Sequence, residues 1–104
     1  MHKSGDVILA QIQFTDSFEI KKRPCVILFV KNNNFIVAGI TSNPYMRGIT
    51  LTKKEGAIKD SVIKTNYIFT ISDQLVYKNL FKLKKEKKQE LFQEISNELT
   101  QLIN

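Results

Sequence analysis

Hydrophobic positions follow two different rhythms along this chain. Up to about residue 83 they come in short, β-branched or aromatic runs bounded by polar turns, and beyond it they recur every three or four residues. Residues 6–13 carry Val7, Ile8, Leu9, Ala10 and Ile12 and read as a strand. Residues 24–30 are almost continuously apolar, which predicts a central strand buried on both faces. Residues 35–41 form a third, and the Asn-rich turn at 31–34 joins the two as a hairpin, because Asn accepts left-handed φ better than other non-glycine residues. Gly39 inside the third strand marks a bulge or a close backbone approach. Short strands are also expected at 49–52, at 61–64 and 67–71 with a break at Thr65 and Asn66, and at 80–83. Ser72 and Asp73 can cap a brief helical turn between the last two. Residues 14–23, 42–48 and 53–60 are polar connections, the first too long for a tight turn.

From Lys84 to Ile103 there is no Gly or Pro, and Leu91, Ile95, Leu99 and Leu102 share one helical face with Phe92 beside it. This predicts a single amphipathic helix with that face on the sheet. Lys84, Lys85, Lys87 and Lys88 gather at its start, against the helix dipole, and read as a solvated face. The expected fold is mainly β with a C-terminal α-helix: a small, strongly curved sheet or barrel. The expected organisation is a single domain over 1–104, with the barrel in 1–83 and the helix in 84–104.

Composition narrows the chemistry. Sixteen basic against ten acidic residues give a net charge of +6, which favours an anionic partner. The only cysteine, Cys25, sits among Val26, Ile27 and Leu28 and reads as a core residue. The only histidine, His2, lies near the terminus, so neither a Cys–His nucleophile pair nor a zinc site can be assembled. No cofactor is expected. No apolar run approaches a membrane span and no signal peptide is apparent, so a cytoplasmic setting without membrane contact is expected.

By elimination the chemistry falls to Arg23. Pro24 holds Arg23 extended, so a guanidinium is aimed from a fixed backbone at the mouth of the sheet. Arg23 lies ten residues before Asn33, and Thr41 and Asn43 lie eight and ten after it. An antiparallel hairpin therefore brings a guanidinium, hydroxyls and an amide to one end. Such a set suits RNA cleavage, where the 2′-OH is an internal nucleophile and the protein need only align the phosphate and stabilise growing charge. The competing reading is a surface Arg before a strand and an ordinary turn after another.

Five segments in order, Gly5-Asp6-Val7-Ile8-Leu9, Phe14-Thr15-Asp16, Lys22-Arg23-Pro24, Ile40-Thr41-Ser42-Asn43-Pro44 and Asp60-Ser61-Val62-Ile63, resemble the MazF/PemK (Kid) toxins of type II toxin–antitoxin systems. The resemblance spans nearly the whole chain. It implies a Src-homology-three-like barrel with a C-terminal helix, and a homodimeric, metal-independent endoribonuclease that cuts single-stranded RNA, usually mRNA. The products would carry a 2′,3′-cyclic phosphate and a 5′-OH. By the same resemblance Arg23 and Thr41 carry catalysis, and the loop from Phe14 to Lys22, with Thr15 and Asp16, folds over the RNA. Lys21, Lys22, Ser42 and Asn43 contact phosphates or bases, and an acidic antitoxin occupies the same groove.

The chain departs from the family pattern in its fifth strand. Many members carry Ile-Arg-Thr-Ile-Asp there, whereas this chain has Ile68-Phe69-Thr70-Ile71-Ser72, with Asp73 one position on. Phe69 is a candidate for stacking on an RNA base or for the core. Two alternatives stay open: a catalytically degenerate barrel that binds nucleic acid or an antitoxin, and a gyrase poison of the CcdB type.

Overall fold

A computed structural model describes residues 2–14 and 18–104. Six strands form one antiparallel sheet: β1 (Asp6–Ile12), β2 (Lys21–Lys31), β3 (Asn34–Thr41), β4 (Ile49–Leu51), β5 (Ser61–Ser72) and β6 (Val76–Lys82). Their spatial order is β4-β5-β3-β2-β1-β6, so β4 and β6 are the edges of an open half-barrel. A 15-residue helix, α1 (Lys85–Leu99), follows β6. The mainly-β fold with a C-terminal helix is as expected.

The sheet is buried on both faces. On one face Val7, Val26, Ala38, Ile40 and Ile63 pack with Ile49, Leu51, Leu83 and the helix residue Leu91. On the other, Ile8, Ala10, Ile12, Cys25, Ile27, Phe35, Val37 and Ile71 pack beneath Phe14. Successive residues of β1–β3 thus enter opposite clusters, which is why those strands read as unbroken apolar runs rather than as alternation.

The β2–β3 hairpin turns through Asn32 (φ 53°) and Asn33 (φ 67°), both left-handed, with Lys31 paired to Asn34. Two consecutive positive φ angles match the twist of the flanking strands, and Asn bears them at little cost. Leu28 is bulged: Phe29 faces Ile36 and Ile27 faces Val37. Gly39 pairs with Cys25, and a Cβ there would lie 2.7 Å from the Phe14 ring. The glycine is therefore the space in which Phe14 lies.

Four expectations need correction. First, β2 starts at Lys21 rather than Pro24, because β1 extends far enough to pair Ile12, Gln11 and Ala10 with Lys21, Lys22 and Arg23. Second, the two short strands at 61–64 and 67–71 are one strand, β5. Its pairing with β3 jumps from Gly39–Lys64 to Ala38–Ile68, so Thr65, Asn66 and Tyr67 bulge out of a continuous ladder. Third, the last strand begins at Val76, immediately after a single turn (Asp73–Leu75) whose Gln74 N–H donates to the Ser72 hydroxyl.

The fourth concerns the helix. Leu91 is buried and Ile95 half-buried, but Leu99 and Leu102 are 56% and 82% exposed. The apolar cluster reaches along α1 only as far as Ile95. One turn further the helix is held to the β5 bulge by a polar bond, Thr65 hydroxyl to Glu98 carboxylate. The helix ends in a short turn, Thr100–Leu102.

Two outcomes follow from this packing. Gly39→Ala forces a methyl group into the Phe14 ring, and the expected loss is about 1–3 kcal/mol, read as a lower denaturation midpoint with unchanged m-value. Burial pushes the Cys25 thiol up to about 12. The unfolded thiol ionises near its ordinary value of about 8.5, so between about pH 9 and 12 only the unfolded state loses its proton. Stability should decline with pH across that window, and more shallowly in Cys25→Ala; an equal slope in both proteins would rule out the thiol as a source.

Candidate functional site

Arg23 sits on β2 two residues before the β3 ladder begins at Cys25–Gly39. Pro24 therefore falls where that ladder has not yet started, a position that tolerates a residue without an N–H. Continuing the register brings Arg23 opposite Thr41, the last residue of β3. On the other side Arg23 pairs with Ala10 of β1. The guanidinium carbon lies 4.2 Å from the centre of the Phe14 ring. Phe14 is 2% exposed and wedged between Tyr67, edge-on at 5.1 Å, and Phe69, stacked at 5.9 Å with planes 6° apart.

This support has an electrostatic consequence. Arg23 Nε is buried and has no hydrogen-bond partner, the only such side-chain nitrogen or oxygen among the described residues. An unsatisfied buried donor costs about 1–3 kcal/mol, and more when charged. The guanidinium is thus held by its face, with one buried donor left unsatisfied.

Thr41 is half-exposed at the end of β3. Its Oγ1 accepts from Asn43 N–H at 3.2 Å, which leaves its own proton available to donate. Asn43 Oδ1 in turn accepts from Tyr45 N–H at 2.9 Å, so the two polar side chains build the turn that follows the strand.

Arg23 and Thr41 line one open cavity of about 300 Å³. Lys21, Lys22 and Ser42 line it too, while Gly56, Ala57, Ile58, Lys59 and Ser61 form the facing wall. Among the described residues no acidic residue and no histidine lines this cavity. Lys21 pairs with Glu19 at 3.2 Å, both exposed, and the Lys22 ammonium lies 4.2 Å from the Tyr77 ring centre. A second depression next to it shares Thr41, Ser42, Leu51 and Ser61 and adds Asn43, Thr52 and Asp60.

Five of the residues singled out in the sequence, Lys21, Lys22, Arg23, Thr41 and Ser42, thus converge on one cavity, and Asn43 lies on its neighbour. Phe69 lines neither; it lies against Phe14 and packs on the second core cluster. Ser72 pairs with Asn34, at the opposite end of β3 from Thr41, so Asp73 stands roughly 20 Å along the strand from the cavity. Thr15 and Asp16 lie outside the described residues. Sequence reasoning missed the wall at Gly56–Lys59 and the part played by Phe14 and Gly39 in holding Arg23. The spacing of Gly39 from Thr41 was visible, but nothing local says that a loop phenylalanine fills the gap.

A family description, the PemK-like, MazF-like toxin of type II toxin–antitoxin systems, matches residues 3–102. No curated protein sequence matches the chain. Among solved structures, Mycobacterium tuberculosis toxin MazF-mt6 superposes with a TM-score of 0.73 at 23% identity, over 88% of this chain and 93% of that one. MazF from Deinococcus radiodurans gives 0.76 at 12% identity, over 94% and 96%. An endoribonuclease in complex with its cognate antitoxin, from a mycobacterial species, gives 0.69 at 10% identity, over 95% of each chain. These likenesses show a common fold, and the family match covers almost every residue from which the cavity is built: the chain belongs to the PemK-like, MazF-like toxins of type II toxin–antitoxin systems.

Proposed function

We propose that this toxin is a metal-independent endoribonuclease that cleaves single-stranded RNA, mRNA among it, at the cavity bearing Arg23 and Thr41. The observation that carries this reading is that Arg23, whose Nε is buried without a partner, lines one cavity with Thr41, whose hydroxyl has a proton to donate. In the reaction the 2′-oxygen attacks phosphorus and loses its proton to water. The P–O5′ bond breaks, and the departing 5′-oxygen takes a proton. The products are a 2′,3′-cyclic phosphate and a 5′-OH. Because the nucleophile belongs to the substrate, proximity is built in. Arg23 stabilises the charge that grows on the nonbridging oxygens, and Thr41 donates to one of them. Lys21, Lys22 and Lys59 hold flanking phosphates as point charges, while Ser42 and Asn43 face the neighbouring nucleotide.

The same surface suits an acidic antitoxin, whose carboxylates would replace RNA phosphates, in keeping with the +6 charge. A homodimer belongs to this proposal as well. Two solved structures of this fold, a MazE–MazF pair from Deinococcus radiodurans and the mycobacterial endoribonuclease with its cognate antitoxin, support such a partner here.

The test is cleavage of varied single-stranded RNAs by purified protein in EDTA, with product ends identified. Cutting at a defined sequence to leave cyclic phosphate ends is expected, with Arg23→Ala slower by roughly a hundredfold or more. Thr41→Val should be slowed less, by the roughly tenfold that one neutral donor supplies. Intact RNA after long incubation with wild type would overturn the ribonuclease reading and leave a binding module, and equal cleavage by wild type and Arg23→Ala would overturn the assignment of the site.

A further inference from the structure

We infer that Lys87, on the C-terminal helix, is a positioning residue that holds the facing wall of the cavity in place. The wall runs from Thr52 to Ser61 and starts with a capped single turn, Lys53–Glu55, followed by Gly56 in left-handed conformation (φ 117°). The Thr52 carbonyl accepts from the amides of Glu55 and Ala57, and the Lys53 carbonyl from Gly56. The Glu55 carboxylate closes the cap, accepting from Thr52 N–H at 2.8 Å and from the Thr52 hydroxyl at 3.1 Å. Gly56 lies against the face of Phe81, where any Cβ would come within 2.7 Å of the ring.

Lys87 locks this turn from outside. Its side chain is only 12% exposed, and its ammonium has three donors and three oxygen partners. These are the Thr50 carbonyl at 2.7 Å, Glu90 at 3.2 Å and Glu55 at 3.4 Å. Thr50 belongs to β4, an edge strand of three residues with no neighbour on its outer side. The lysine thus takes the place of a missing strand, caps an edge carbonyl and fixes the carboxylate that caps the wall turn. The hydrogen bonds from Thr52 hold the Glu55 carboxyl below its ordinary range, and the Lys87 charge adds to this. Gly56, Ala57, Ile58 and Lys59 line the same cavity as Arg23 and Thr41, so order in this turn is order in the cavity's lining.

The activity consequence rests on the ribonuclease reading; the structural one does not. The wall touches flanking parts of a bound strand rather than the reacting phosphate, so losing its order should weaken binding without altering chemistry. The experiment compares wild type, Lys87→Met and Glu55→Gln by amide hydrogen exchange and by steady-state cleavage. In both variants the amides of Glu55, Gly56 and Ala57 should exchange about tenfold faster, while those of central β2 and β3 keep their rates. KM for RNA should rise about tenfold with kcat within about twofold, and the two substitutions combined should cost little more than either alone. Exchange that is unchanged, or faster throughout the protein, would overturn the inference, as would an unchanged KM beside faster wall exchange. If wild type cuts no RNA, the ribonuclease reading fails, and the exchange comparison alone decides whether Lys87 orders the wall.

Discussion

The register of the β2–β3 hairpin is the constraint on which the site depends. The left-handed pair Asn32–Asn33 sets Lys31 against Asn34, and that register alone would bring Arg23 opposite Ser42. The single extra residue at Leu28 shifts the pairing by one, so that Arg23 comes opposite Thr41. Cross-strand partners point to the same face, so one bulge decides which hydroxyl the guanidinium meets. Burial makes this register hard to change. A slip of one residue would move Cys25 and Ile27 out of one cluster and Val26 out of the other.

The same residues explain which parts of the structure were legible in the sequence. The hairpin, its Asn turn and the nearness of Arg23 to the end of β3 could be read directly, because they depend on local φ preferences and chain counting. The choice among Thr41, Ser42 and Asn43 could not, because a bulge at an ordinary leucine leaves no compositional mark. Nor could the unity of β5. Thr65 and Asn66 look like a break because they are polar, and only the ladder with β3 on either side shows them to be a bulge within one strand. The helix failed for a different reason. Its apolar spacing was correctly read, but spacing says which residues share a face and not how far the underlying cluster extends. The core ends beneath Leu91 and Ile95, so Leu99 and Leu102 point away from it. The wall of the cavity was illegible because its capped turn is tied to a helix lysine far along the chain.

The departure from the family pattern at Phe69 gains a physical sense from the way Arg23 is held. A guanidinium can be fixed by a carboxylate, which takes up two of its donors, or by an aromatic face, which takes up none. Here the ring is Phe14, and its orientation is set by Phe69 in parallel and Tyr67 edge-on. Gly39 supplies the space and the Phe14–Phe69 pair supplies the plane. An apolar residue at position 69 suits this arrangement: it adds burial to the stack and, unlike the arginine that many family members carry there, brings no second cation beside Arg23. A carboxylate set against Arg23 instead of the Phe14 ring would relieve that donor in the free protein and so reduce what an anion gains by binding, since binding strength depends on the difference between the two states. The partnerless Nε is a cost the fold carries in the free state, offset by the apolar contacts of Phe14.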